Sequence, residues 1–86
     1  SIVNPKCFIR HDTELDDFVS LMPSTNLAGE VKVGEGSYFG INSCVINRTI
    51  IGKWSIIGAG ATVISDIPDY SVAVGVPARV IKRRNT

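Results

Sequence analysis

The chain has one histidine, His11, in the run IRHDTE. Asp12 is its neighbour and Glu14 is close by. Either acid can accept from Nδ1, fix the tautomer and raise the basicity of Nε2. Eighteen residues further on comes Gly29, whose bare backbone lets an N–H approach a ligand closely. A base beside an N–H that can hold a developing oxyanion is the minimum for acyl transfer. A lone histidine is more often a solvated side chain, so the pair has meaning only if the fold brings positions 11 and 29 together.

Other constellations fall away. The run GEGSYFG fails the G-x-G-x-x-G spacing and opens no helix. Asp12, Glu14, Asp16 and Asp17 resemble a calcium loop, but the sixth position is not Gly and the twelfth is Pro23. One histidine and no C-x-x-C pair leave no zinc site, so no metal is expected. Cys7 and Cys44 are too few for a disulfide scaffold and lie about two coils apart in the arrangement argued below, beyond bridging reach.

The elements that must position His11 show in the composition. Val and Ile number 21, against 3 Leu and 5 Ala, and with 5 Thr the β-branched residues are 26 of 86. Such residues suit strands and argue against a helical bundle. Nine basic and eight acidic residues nearly cancel, which argues against a nucleic-acid partner. The apolar runs around 56–64 and 71–81 carry Gly or Pro and are too short for a membrane span. With no signal peptide visible, the expected location is the cytoplasm.

Every sixth residue from Val3 to Val63 is large and apolar: Val3, Ile9, Leu15, Leu21, Leu27, Val33, Phe39, Val45, Ile51, Ile57, Val63. At 44% hydrophobic, a run of eleven arises by chance about once in ten thousand. Four residues after each comes a residue that is nearly always small or β-branched, from Cys7 to Ile67. Glycine follows the large lane at 34, 40, 52 and 58, where it is expected to relieve a corner backbone needing positive φ. A period of six fits short flat faces joined by tight corners. Three faces make a coil of eighteen residues, so residues i and i+18 stack about 4.8 Å apart. The fold class is all-β, a parallel solenoid, and His11 then lies directly beneath Gly29. Residues 1–68 form the coils, and residues 69–86 a final strand and basic tail. The chain opens within a strand-like pattern, so a further N-terminal domain is expected upstream.

The motif [LIV]-G-x-x-[STA]-x stands here as VGEGSY, FGINSC, IGKWSI and IGAGAT. It resembles the left-handed parallel β-helix of hexapeptide-repeat acyltransferases, and DIPDYSVAVGVPARVIKRR resembles that family's C-terminal ending. The likeness covers essentially the whole chain and implies a homotrimer. Phe18, Tyr38 and Trp54, off the inward lanes, are candidates for its interface or a ligand cleft. The runs IVNPKCFIRHDTELDDF, NLAGEVKVG and FGINSCV look like bacterial N-acetyltransferases of nucleotide-linked amino sugars. That likeness implies acetyl-CoA as co-substrate and an amino-sugar nucleotide as acceptor. It makes His11 the general base, Asp12 its orienting acid and Gly29 the N–H at the thioester carbonyl, with Asn4 near the sulfur or the acceptor. Asp12 is one methylene shorter than the Glu often found there, and Ser20 stands where some members have a second histidine. Ile41 and Ala59, eighteen apart, are expected to form with Gly29 a line for the pantetheine arm. That line leads towards Arg79, Lys82, Arg83 and Arg84 for the phosphates. Transfer to a sugar or serine hydroxyl, or a non-catalytic trimerisation module, are the alternatives.

Overall fold

A computed structural model describes residues 2–83. Eleven two-residue strands recur at intervals of six and are shared among three sheets. The first sheet holds β1 (Ile2–Val3), β4 (Ser20–Leu21), β7 (Tyr38–Phe39) and β10 (Ile56–Ile57). The second holds β2 (Phe8–Ile9), β5 (Asn26–Leu27), β8 (Cys44–Val45) and β11 (Thr62–Val63). The third holds β3 (Glu14–Leu15), β6 (Lys32–Val33) and β9 (Ile50–Ile51). Every parallel pair among these strands has a register of eighteen, as in Phe8↔Asn26 and Val33↔Ile51. The molecule is a parallel β-helix with three faces.

Successive residues of a strand point to opposite sides, so a two-residue strand gives one side chain inward and one outward. The inward set is the large lane. From Leu21 to Val63 it is buried throughout, with Phe39 the largest member. The small lane is buried from Val19 to Ile67. Its hydroxyls are bonded: Thr25 Oγ1 donates to Met22 O at 2.7 Å, Ser37 Oγ to Gly52 O at 2.8 Å and Ser55 Oγ to Pro68 O at 2.8 Å. A small polar lane is thus compatible with a dry core, because the corner carbonyls supply acceptors.

The corner glycines act differently from the expectation. Gly34, Gly40, Gly52 and Gly58 are not in the left-handed region. They are needed for close approach: a Cβ on Gly40 would lie 2.5 Å from Ala59 N, and one on Gly34 2.6 Å from Lys53 N. Positive φ falls instead on the second residue of the corner, at Lys6, Phe18, Ser24, Glu30, Asn42, Arg48, Trp54 and Tyr70. At Ser24, Asn42, Arg48, Trp54 and Tyr70 a hydrogen bond to the coil below offsets the cost of this backbone, as in Asn42 N to Pro23 O at 3.1 Å and Trp54 N to Glu35 O at 2.7 Å.

The last coil is shorter. Ile56 and Ile57 pair with Val72 and Ala73 of β12 (Ser71–Val74), and Ile51 bridges to Ile67, a register of sixteen. β13 (Arg79–Arg83) then turns back antiparallel on β12 and closes the first sheet. The Gly75–Ala78 loop closes the second: Thr62 N donates to Gly75 O at 3.0 Å and Ala78 N to Thr62 O at 2.7 Å. The third is closed by Ile67, whose N–H donates to Ile50 O at 2.9 Å and whose carbonyl accepts from Gly52 N at 2.7 Å. Two carboxylates flank it, Asp66 Oδ1 on Ile50 N and Asp69 Oδ1 on Lys53 N, both at 2.9 Å. At the opposite end Val3 is 49% exposed and Ile9 and Leu15 are half-buried, since nothing described here stacks beneath them.

The close stacking of corners has a measurable consequence. Gly40→Ala is expected to lower stability in urea unfolding by about 2–3 kcal/mol, the upper range for overpacking. Gly60→Asn, at φ +70 with open space around Cα, is expected to cost less than about 1 kcal/mol. Equal effects at the two sites would contradict the difference between close approach and turn.

Candidate functional site

The three sheets meet at three edges. Corners 5–6, 23–24, 41–42 and 59–60 stack between the first and second sheets. Corners 11–12, 29–30 and 47–48 stack between the second and third. Corners 17–18, 35–36, 53–54 and 69–70 stack between the third and first. His11 and Gly29 belong to the middle edge. The pairs Ile9↔Leu27 and Glu14↔Lys32 bracket them on either side, so one lies above the other at about strand spacing, 4.8 Å. His11 and Asp12 are exposed and Gly29 is half-buried. The corner is pinned by Thr13, whose N–H donates to Arg10 O at 3.0 Å and whose Oγ1 donates to Ala28 O at 2.6 Å.

The acids beside His11 divide. Glu14 faces Lys32 on the third sheet at 4.0 Å, an exposed pair contributing little. Asp12 turns towards the coil above: a Cβ built on Gly29 would lie 3.1 Å from its Oδ1 and 3.2 Å from its Oδ2. Among the described residues no hydrogen bond joins His11 to either acid. The Gly29 amide has no backbone acceptor among the described residues.

The remaining candidates lie elsewhere. Ile41 and Ala59 do stack, but on the edge between the first and second sheets, so they form no single line with Gly29. The physical reason is the repeat of eighteen: Gly29 and Ile41 are twelve apart and fall on different corners. The two edges flank one face, the second sheet. Asn4 is on the Ile41 edge, and its Nδ2 donates to Leu21 O at 3.0 Å, so within one chain it does not meet His11. Arg79 follows the loop that caps the second sheet, and Arg79, Lys82 and Arg83 are exposed on β13. Arg84 lies outside the described residues. Phe18 and Trp54 are on the third edge, with the Trp54 ring over Gly36, away from His11.

The second-sheet face is the feature the spacing argument missed. A shallow groove of about 370 Å³ runs along it, lined by Phe8, Arg10, Asn26, Ala28, Cys44 and Ile46 among others. Its signal was the outward strand lane Phe8, Asn26, Cys44, Thr62, which carries no charge, with Arg10 beside it as the one charged lining residue. A wider groove of about 720 Å³ on the third sheet is lined by charges of both signs, including Glu35, Lys53 and Asp69, and contains no candidate base. Among the described residues no three His, Cys, Asp or Glu side chains converge as a metal site. No described helix is long and apolar enough to cross a membrane.

Comparison with known proteins places this geometry. No family model matches the chain. It is 35% identical over 80 residues to a Mycobacterium tuberculosis protein named a probable acetyltransferase, covering 91% of this chain and 27% of that one. It is 44% identical over 52 residues to the dTDP-3-amino-3,6-dideoxy-alpha-D-galactopyranose 3-N-acetyltransferase of Aneurinibacillus thermoaerophilus, covering 60% of this chain and 27% of that one. The acetyltransferase domain of PglB from Neisseria gonorrhoeae, solved with acetyl coenzyme A, superposes with TM-score 0.89 at 36% identity, covering 92% of this chain and 40% of that one. A histidine-to-alanine mutant of GDP-perosamine N-acetyltransferase from Caulobacter crescentus, solved with CoA and GDP-perosamine, gives 0.88 at 36%, covering 94% and 39%. The chain is a parallel β-helix related to the hexapeptide-repeat acetyltransferases. It spans about a quarter of the length of the curated relatives it matches.

Proposed function

We propose that the intact protein is an acetyl-CoA-dependent N-acetyltransferase acting on the amine of a nucleotide-linked amino sugar. The observation that carries this is the stacking of an exposed His11 beneath Gly29, at the edge of a face whose outward strand residues carry no charge. Relatives named for amino-sugar N-acetylation support the acceptor class. A likeness to a serine acetyltransferase solved with CoA, TM-score 0.86 at 27% identity, keeps transfer to a hydroxyl as the second reading.

His11 accepts a proton from the acceptor amine as the nitrogen attacks the thioester carbonyl. The Gly29 N–H donates to the oxygen that becomes negative in the tetrahedral intermediate. Collapse breaks the carbon–sulfur bond, and His11 returns the proton to the departing thiolate. Asp12 is the acid that orients His11, acting through the corner it holds against the upper coil. Asn4 serves the acceptor or sulfur from the other edge of the same face, across a subunit boundary. The pantetheine arm follows the second-sheet face past Ile41 and Ala59, and Arg79 and Lys82 meet the phosphates beyond the Gly75–Ala78 loop. Within this reading the helix is left-handed, three chains pack as a homotrimer, and the enzyme works in the cytoplasm without a metal. Residues 1–68 form the coils, residues 69–86 the closing strand and tail, and a domain upstream of them helps hold the nucleotide.

His11→Ala in the intact protein should lower kcat by about 100- to 10,000-fold, the size of a general-base contribution, in a thiol-release assay with UDP-, dTDP- and GDP-linked amino sugars. Turnover near that of the parent would remove His11 as the base. Arg79→Gln and Lys82→Gln should each weaken coenzyme A binding by about two- to fivefold, the range of exposed ion pairs. Calorimetry at rising salt should weaken the parent and flatten the variants, and salt-independent binding would sink this route for the phosphates. Light scattering should give three times the chain mass, and a monomer at micromolar concentration would exclude the shared sites.

A further inference from the structure

Where a corner has another beneath it, the amide of its second residue is tied downwards. Ser24, Gly36, Asn42, Arg48, Trp54, Gly60 and Tyr70 each donate to the carbonyl of the first corner residue in the coil below. Among the described residues Glu30 is the exception, making no such bond to His11 O. The corner beneath explains this. Lys6, Phe18, Ser24, Glu30, Asn42, Arg48 and Trp54 hold the second corner position with φ between 55 and 65, and Gly36 and Gly60 do so at 73 and 70. Asp12 holds the same position and is not in the left-handed region. A two-residue turn without positive φ at its second position differs from the other corners by a flip of the central peptide. The turn is closed by Thr13 N on Arg10 O at 3.0 Å. The His11 carbonyl is thereby turned away from the coil above, and the Asp12 carboxylate stands against the bare Cα of Gly29, within 3.1–3.2 Å of where a Cβ would be.

We propose that Gly29 is a positioning residue. Its missing side chain is the slot that holds the Asp12 carboxylate against the upper coil, and this fixes the reversed corner that carries His11. The proposal rests on His11 as the base and concerns the Cα side of Gly29, a role separate from its N–H. The space, rather than backbone freedom, is what glycine provides, since Gly29 is not at positive φ.

A mutant cycle in the intact protein tests it. Gly29→Ala should lower kcat by about ten- to a hundredfold, the effect of small misplacement at a reacting centre. Asp12→Asn preserves the shape of the side chain, so the Gly29→Ala loss should persist in that background. Asp12→Ala empties the slot, so adding Gly29→Ala to it should change kcat by less than about twofold. The same set is read by thermal unfolding: Gly29→Ala should lower Tm beside Asp12 or Asn but not beside Ala. A Gly29→Ala effect equal in all three backgrounds, or absent from all, overturns the proposal. The unfolding cycle decides it even if His11→Ala proves fully active, an outcome that would refute the base and not the slot.

Discussion

The backbone bond between coils is the constraint on which the rest depends. Up to the shortened last coil, each face adds only two strand residues per coil, and each of those pairs with a residue eighteen away. No strand is long enough to be stable alone, so the stack holds by repetition, each coil supported by its neighbours. That repetition dictates chemistry as well as fold. Side chains can cooperate along an edge only at separations of eighteen, or across one face between adjacent edges. His11 and Gly29 meet the first condition. Gly29 and Ile41 meet only the second.

The same constraint explains the glycines. Corners stack so closely that a Cβ after the large lane would strike the next coil's backbone at Gly34 and Gly40. Positive φ is carried instead by residues as large as Trp54 and Arg48, because their amides find acceptors in the coil below. Closing the stack then takes three devices, since each sheet presents a different last strand. A hairpin covers the first sheet, a loop the second, and the Ile67 bridge with two flanking carboxylates the third. Exposed ladder edges invite pairing with other chains, and at this end the parallel stacks are covered, with β13 left as the outermost strand of the first sheet.

Much of this was legible in the sequence because period and register are the same fact. The lane from Val3 to Val63 named the inward residues, which are buried from Leu21 onward and least covered at Val3, Ile9 and Leu15, where no described coil lies beneath. The separation of eighteen placed His11 under Gly29. Direction was harder to read. Sequence proximity suggested that Asp12 and Glu14 both serve His11, but the outward lane pairs Glu14 with Lys32 and the corner turns Asp12 upward. Corner conformation is not a matter of spacing, so the reversed peptide at His11–Asp12 leaves no mark in the hexad pattern. The fold back of residues 75–78 onto Thr62 was equally hidden, because there the register leaves eighteen.

Burial sets the last requirement on the site. His11 and Asp12 are exposed in one chain, and the groove beside them is open along its length. A base and an oxyanion donor gain their strength where water is excluded and the local dielectric falls. Nothing within a single β-helix can supply that cover, because its side chains project outward from every edge. Under the proposed function, the side of the site facing solvent is closed by substrate and by another chain. Phe8, Ile46 and Ile64 are apolar and exposed on or beside the second-sheet face, so burying them there would favour the closure that the chemistry needs. Under the proposed function, assembly and catalysis are therefore one requirement: the groove that admits the coenzyme is also the surface that one chain leaves unfinished.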